Sequence, residues 1–384
     1  MRAAAGLPLV LAASLLPGVA SAQPTHTASV SRTRYYYYRP DGQGAHAYQT
    51  PISMIIEGGF SPFGERRLHE FDFAKGARNL WSSVKNPFRA VNEYGFGDFF
   101  YSEFVPNPGQ DTGQWVPNWT WHLVGGGFRT RQLKEYFIDR GYEHPTLNAW
   151  LVAYTSHLIN ELIQAERYPP RAVDAIADLF FFDWVGKLIF DLDVVNEIAT
   201  ETFHLTDWTT QTQWNPVTGR LLNVGQLYWL RFQVYGPWSV SALTGELTNT
   251  VNGTFAINDD EEVSLGFGFK PHDIIVNPDG VPVADTLRMT VGFYYSRRDN
   301  PVLVATYEST LAFARAEGTD QPLRREDDSA LTINLYPGWF NIHGFEPGFT
   351  LATKGEAVFL AISHGSWPVG VALGEELWED PERR

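Results

Sequence analysis

The chain has 384 residues, with 13 Trp, 17 Tyr and 26 Phe and 19% charged residues, against roughly 25% charged in ordinary soluble domains; that make-up excludes disorder, collagen and coiled coil. It has no cysteine, so disulfide scaffolds, zinc-thiolate sites, iron–sulfur clusters and Cys nucleophiles are excluded. A net charge of −15 speaks against nucleic acid as a partner and against general attraction to anionic headgroups.

Met1-Arg2, an apolar stretch over 3–17 and Ala20-Ser21-Ala22 have the order of a secretory signal cut before Gln23. The apolar stretch is shorter than the ~20 residues of a membrane-crossing helix. An exported acidic chain without cysteine suits the periplasm or outer membrane of a Gram-negative bacterium. There the glycosylation-like triplets at Asn118 and Asn252 carry no meaning. Residues 23–50, polar and containing the Tyr35–Tyr38 run, read as a surface arm. From 51 to 128 the Gly, Pro and Asn clusters, such as Gly58-Gly59, Asn86-Pro87 and Asn107-Pro108-Gly109, are turn signals between short elements. Phe96, Phe99, Phe100, Tyr101 and Phe104 fit either a membrane interface or a buried core.

Between 129 and 204 apolar residues recur every three or four positions, which predicts a module of three to four helices. The first runs from Thr130 to Arg140 and stops at Gly141; the second starts near Pro145 and runs to Arg167. The third covers 171–189, and a fourth continues through Val194 to Phe203. From about 221 to 376, within a β-domain taken as 205–384, the period becomes two. In Val263-Ser-Leu265-Gly-Phe267-Gly-Phe269 the odd residues are apolar and the even ones small, and Leu287, Met289, Val291, Phe293 and Tyr295 repeat the pattern. Further strands are expected at 226–234, 250–258, 302–314, 330–336, 347–353, 356–363 and 367–375. Connections alternate between short (259–261, 298–300) and long (271–284, 316–329), as in outer-membrane barrels. The expectation is a mixed, mainly β chain: a helical module followed by a C-terminal antiparallel β-barrel of eight to ten strands. A soluble barrel or sandwich produces the same alternation, because periodicity does not say which face meets lipid. The charged tail after Trp378 departs from the aromatic ending usual in outer-membrane barrels.

The segments Asn118-Trp-Thr-Trp-His122-Leu-Val-Gly-Gly-Gly127, Tyr154-Thr-Ser-His157-Leu-Ile-Asn160-Glu161 and Asp174-Ala-Ile-Ala-Asp178-Leu-Phe-Phe-Phe-Asp183 are together similar to the helical part of uncharacterised bacterial envelope proteins. The resemblance spans about 118–198. It implies envelope location and a helical module joined to a β-domain, and it brings no reaction with it.

His157 and Glu161, four apart, share one helix face with Asn160 and Gln164. With His122 and a carboxylate from Asp174 or Asp178 they could hold zinc, iron or manganese; otherwise His157 would be a general base oriented by Glu161. The plainer alternative is a polar stripe facing water or lying at a packing interface. His69-Glu70 lacks the second histidine of a zinc-protease helix, since position 73 is Phe. No Gly-x-Ser-x-Gly elbow or phosphate-binding loop occurs. Gly125-Gly126-Gly127 reads more simply as a turn than as an oxyanion hole. Asp183 is expected to pair with Lys187, and Asp174 and Asp178 with Arg171. The first reading is an envelope protein in or against the outer membrane with a structural, lipid-binding or transport-related role. Its rivals are a lipid- or cell-wall-processing hydrolase with His122, His157, Glu161 and Asp178 as catalytic residues, and a soluble periplasmic barrel holding an apolar ligand. Convergence of those four side chains in one place favours the enzyme.

Overall fold

The computed structural model describes residues 35–64, 70–106, 118–168, 172–217, 219–245, 248–276, 282–310, 329–354 and 357–374. The signal sequence, His69, Asn107-Pro108-Gly109, Arg171, the 316–328 part of the expected long connection and the tail after Trp378 lie outside these residues.

Of the residues read as turn punctuation in the 51–128 region, Asn86-Pro87 opens a short helix and Gly58-Gly59 ends one. Thr50 accepts a hydrogen bond from Ser53 N and Pro51 opens α1, Pro51–Gly59. Asp72 caps α2, Phe73–Val84, and Asn86 caps α3, Pro87–Tyr94. Each cap satisfies an amide that has no partner within its helix, and proline at the first position sacrifices none. The helix α4 covers Phe96–Phe104. A π-helical segment, Asn118–Gly125, runs into α5, Gly126–Asp139, and α6 follows at Pro145–Gln164. The third expected helix is an α–π–α run: α7 Asp174–Ala177, a π turn Asp178–Phe182, and α8 Asp183–Asp191. The fourth is α9, Asp193–Glu197, with a π turn to Thr202. The first two long helices thus stand where the spacing put them.

Leu133 and Phe137 of α5 pack with Ala149, Val152 and Ala153 of α6 and with Met54 and Ile55 of α1, so the 51–104 helices belong to the same packed module. Residues 35–50 are not a surface arm. Glu135 accepts the backbone N–H groups of Tyr36, Tyr37 and Tyr38 at 3.1, 2.9 and 2.9 Å. Tyr37 then stacks on Phe128 with ring centroids 4.2 Å apart. A polar segment is buried here because one carboxylate satisfies three amides. Arg129 ties α5 to α1 and to the sheet through Glu57 at 2.5 Å and Asp207 at 3.3 Å.

The sheet has thirteen strands in the order β1-β4-β5-β6-β7-β8-β9-β10-β11-β12-β13-β2-β3. The strands β4 (Leu227–Tyr235), β5 (Trp238–Gly245), β6 (Asn249–Ala256), β7 (Glu261–Val276), β8 (Pro282–Arg297), β9 (Asn300–Thr310), β10 (Ala330–Leu335), β11 (Pro347–Lys354), β12 (Ala357–His364) and β13 (Gly370–Gly374) form an antiparallel meander. Short strands β1 (Thr206–Asp207), β2 (Gln213–Asn215) and β3 (Arg220–Leu222) lie at its two ends, β2 pairing parallel to β13. All nine expected positions carry strands, with 311–314, 356 and 375 outside the described residues; β5 and the short β1–β3 were not anticipated, so the sheet has thirteen strands where eight to ten were expected. The expected long loop 271–284 instead carries the β7–β8 ladder, paired from Pro271 with Leu287 to Val276 with Pro282.

The ladder does not close into a barrel, but the sheet must curl. A flat sheet would put β1 and β2, eleven inter-strand steps apart, about 50 Å from each other. The chain from Asp207 to Gln213 reaches only about 22 Å at full stretch. The interior shows the curl directly, since Trp208, Trp229 of β4, Tyr294 of β8, Val304 of β9 and Tyr336 share one cluster.

The polarity of this sheet is inverted relative to a soluble core. Met289, Val291 and Phe293 on β8 are exposed, whereas Arg288, Thr290 and Tyr294 are buried. Leu265 and Phe267 on β7 and Leu360 and Leu373 on β12 and β13 are likewise exposed. Inside, hydroxyls and amides pair with one another: Ser241 with Thr254 at 2.7 Å, Thr254 with Ser264 at 2.8 Å, and Thr350 to Asn334 at 2.8 Å. Among the described residues no helix is long and apolar enough to cross a membrane.

Candidate functional site

Two close helix approaches build the site. At Gly186 of α8 a side chain would run into the Leu123 carbonyl, with the Leu123 C and Cα at 2.9 and 3.0 Å. At Gly126 it would sit 2.8 Å from His157 Cε1. The glycines therefore let α8 and the 118–125 segment touch backbone to backbone and leave room for the His157 ring. Gly125-Gly126-Gly127 is accordingly no turn: it continues the helix where small residues are needed for packing. His122 and Asp178 both lie on π-helical turns, which widen the helix locally and are frequent at functional sites.

Asp183 sits at the centre with no exposure. Its Oδ1 is 3.3 Å from His122 Nδ1 and is hydrogen-bonded to His157 Nδ1, while Lys187 Nζ lies 3.7 Å from its Oδ2. An ionised carboxylate only accepts, so both Nδ1 atoms face it as donors. His122 Nε2 faces Asp178 Oδ2 at 3.4 Å. Ligand atoms of His122, Glu161 and Asp178 all fall within 4.8 Å of one another, and so do those of His122, His157 and Asp183. The two imidazole rings are 5.2 Å apart, nearly edge to face. Both histidines keep slight access, their side chains 14% and 11% exposed.

Charge is unevenly compensated across this cluster. Burial opposes the Asp183 charge, but His157, His122 and Lys187 outweigh it and hold the carboxyl below the usual range. On the other side, burial and then the neighbouring carboxylates hold Glu161 and Asp178 well above it. Burial also raises Asp174 and, with Asp174 adding, pushes Glu103 up to about 8. Burial lowers the proton affinity of His157 in spite of Asp183. His157 is thus a neutral imidazole held in one tautomer, the form a general base requires.

All four residues singled out from the sequence, His122, His157, Glu161 and Asp178, come together here. The stripe of His157, Asn160 and Glu161 does not face water: each is buried, and Asn160 donates to the Gly58 carbonyl at 2.8 Å. Asp183 was legible only as the partner of Lys187, a pairing the structure has, and its central role between two histidines was missed. Glu103, donated to by Ser102 Oγ at 2.9 Å and by Asn118 Nδ2 at 2.9 Å, gave no signal in the sequence.

The module that holds the cluster is apolar outside. Leu147 and Leu151 on α6, Phe180, Phe181, and Trp184 and Leu188 on α8 are exposed. Ile198 and Phe203 continue this face, and the Phe203 ring meets Phe232 on the outer face of β4 at 5.7 Å. The expected aromatic group divides: Phe96, Phe100 and Tyr101 are exposed, while Phe104 stacks on Phe182. Compared with protein-family models, curated proteins and solved structures, the chain finds no match.

Proposed function

We propose that this chain is an exported outer-membrane protein whose β-sheet curls into a lipid-embedded barrel and whose helical module hydrolyses ester bonds of lipids at the membrane boundary. The observation that carries the reading is the convergence of His122, His157, Glu161, Asp178 and Asp183 in a helical module that exposes many apolar side chains and touches the outer face of the sheet through Phe203 and Phe232. Soluble monomers rarely expose contiguous apolar patches above a few hundred Å². Apolar-out, polar-in alternation is the pattern of a membrane barrel. Strands β4 (nine residues), β9 (eleven), β7 and β8 (sixteen each) reach the ~9–11 residues a tilted strand needs to cross. A polar, hydrogen-bonded interior filled by Trp208, Trp229 and Tyr336 does not suit a soluble barrel that carries an apolar ligand. A purely structural or transport role gives no reason to bury two histidines among carboxylates, since such groups cost stability unless they are compensated.

In the proposed reaction His157, oriented by Asp183, takes a proton from water through Nε2 as the water oxygen bonds to the ester's acyl or phosphoryl centre. The bond to the lipid's alcohol oxygen then breaks, and that oxygen receives the proton back from His157. The test is the full chain in mixed micelles of phospholipid and detergent, with release of acid measured by titration. Turnover lost in His157→Ala, with unchanged circular dichroism, supports the reading. Absence of turnover on both carboxylic and phosphoric ester lipids would reject it.

A further inference from the structure

The feature of the cluster that the hydrolytic reading leaves unused is the approach of His122 to two carboxylates. Its Nδ1 faces Asp183 at 3.3 Å and its Nε2 faces Asp178 Oδ2 at 3.4 Å. Asp178 Oδ1, buried, has no hydrogen-bond partner among the described residues. Glu161, 2% exposed, brings a third donor oxygen within 4.8 Å of the other two. Lys187 is turned to Asp183. One imidazole nitrogen and two carboxylates whose ligand atoms gather this closely, one of those carboxylates with an oxygen unpartnered among the described residues, can hold a cation. We propose that His122 Nε2, Asp178 and Glu161 hold a single first-row divalent metal ion, of the zinc or manganese class.

The donor set selects the class. One imidazole and two carboxylates suit zinc, iron or manganese, and an all-oxygen set for calcium or magnesium is not what the residues offer. Asp183 completes the arrangement from behind. A metal-bound histidine ordinarily gives its other N–H to a carboxylate, which fixes the ring and raises its basicity. His122 does this with Asp183, and Asp183 holds His157 by the same oxygen. The three-residue set leaves a coordination position for water or a substrate oxygen, as catalytic sites do. His122 supplies the path to it, being the most exposed of the three. The inference rests on the hydrolytic reading for the ion's role, which would be to polarise the ester oxygen, but ion binding is measurable without turnover.

The experiment uses the full chain purified in detergent, stripped with a chelator and dialysed. Zn²⁺ alone is titrated by calorimetry, metal content is read by mass spectrometry, and Co²⁺ serves as an optical probe. Expected is one ion per chain with visible Co²⁺ bands of low-symmetry coordination. Asp178→Asn and Glu161→Gln should each weaken binding at least 100-fold, and Asp183→Asn about 10- to 100-fold. His157→Ala should change it less than 10-fold. No binding of Zn²⁺, Co²⁺ or Mn²⁺ to the wild-type chain at 100 micromolar overturns the proposal, whether or not lipid is hydrolysed. Loss in His157→Ala with binding kept in Glu161→Gln also overturns it, because the ion would then sit on the opposite side of His122. An ion bound as described with no lipid turnover leaves the site standing and rejects the hydrolase.

Discussion

Replacing Gly186 with alanine isolates the packing on which the whole centre depends. The new methyl would lie 2.9 and 3.0 Å from the Leu123 C and Cα and closer still to its carbonyl oxygen. Ordinary carbon contacts are about 3.5–4.0 Å, so the two backbones must part by roughly 0.5–1 Å. Leu123 follows His122, and Asp183 stands one turn before Gly186, so the displacement acts directly on the 3.3 Å His122–Asp183 contact. Overpacking costs about 1–3 kcal/mol, and losing a hydrogen bond to a charged group adds about 1.5–3 kcal/mol. The better helix propensity of alanine returns about 1 kcal/mol, leaving about 1.5–5 kcal/mol of destabilisation. A 1 Å misplacement of catalytic groups can lower turnover by about 100-fold. Denaturant unfolding followed by Trp fluorescence, with lipid turnover in parallel, reads both effects. Gly97→Ala is the control, since nothing lies within 4 Å of a side chain there. Gly186→Ala indistinguishable from Gly97→Ala in stability and turnover would refute the claim that backbone contact at this crossing sets the site.

Glu135→Ala removes the acceptor of three amides, those of Tyr36–Tyr38, and takes from Arg131 the buried one of its two carboxylate partners, at 2.9 Å, leaving the exposed Asp193. A cost of about 3–5 kcal/mol is expected, with limited proteolysis appearing near residues 35–50; unchanged protease resistance would contradict the latch. His46 is buried, and burial, with Arg39 adding, lowers its proton affinity to about 4 from 6.5. Between these values the unfolded chain takes up a proton that the folded chain refuses. His46 therefore costs about 2–3 kcal/mol as pH falls from 6.5 to 4 and nothing above that window. The stability of His46→Gln, relative to wild type, should improve by that amount at pH 4 compared with pH 7; no relative change would show that His46 is protonated in the folded protein. Val291→Arg, at an exposed position of β8, should cost about 2–4 kcal/mol in a bilayer, measured by urea unfolding in lipid vesicles. A change under 0.5 kcal/mol would place this face in water.

The sequence exposed the periodic parts and hid what depends on three-dimensional contact. Strands such as 263–269 were legible because alternation is a local consequence of the pleat. Which face looks outward was not, because alternation is the same for a core and for a lipid face. The first helices escaped because Thr50-Pro51 and Asn86-Pro87 begin helices with the same residues that make turns. Tyr36–Tyr38 looked solvent-bound because their partner, Glu135, lies about a hundred residues away. In the site, the four-residue spacing of His157 and Glu161 was visible in one helix. Asp183 as hub was not, since its two histidines come from separate segments, brought together where Gly186 meets Leu123 and Gly126 meets the His157 ring.

The absence of native cysteine allows the central claim, that the apolar face of the sheet meets lipid, to be tested one residue at a time. Val291→Cys, Leu265→Cys and Thr290→Cys would each carry a single nitroxide in lipid vesicles, with relaxation by oxygen and by a water-soluble nickel chelate measured by paramagnetic resonance. The account predicts strong oxygen and weak nickel relaxation at 291 and 265, and weak relaxation by both at the buried position 290. Nickel relaxation at 291 and 265 as strong as at a fully hydrated site would contradict it.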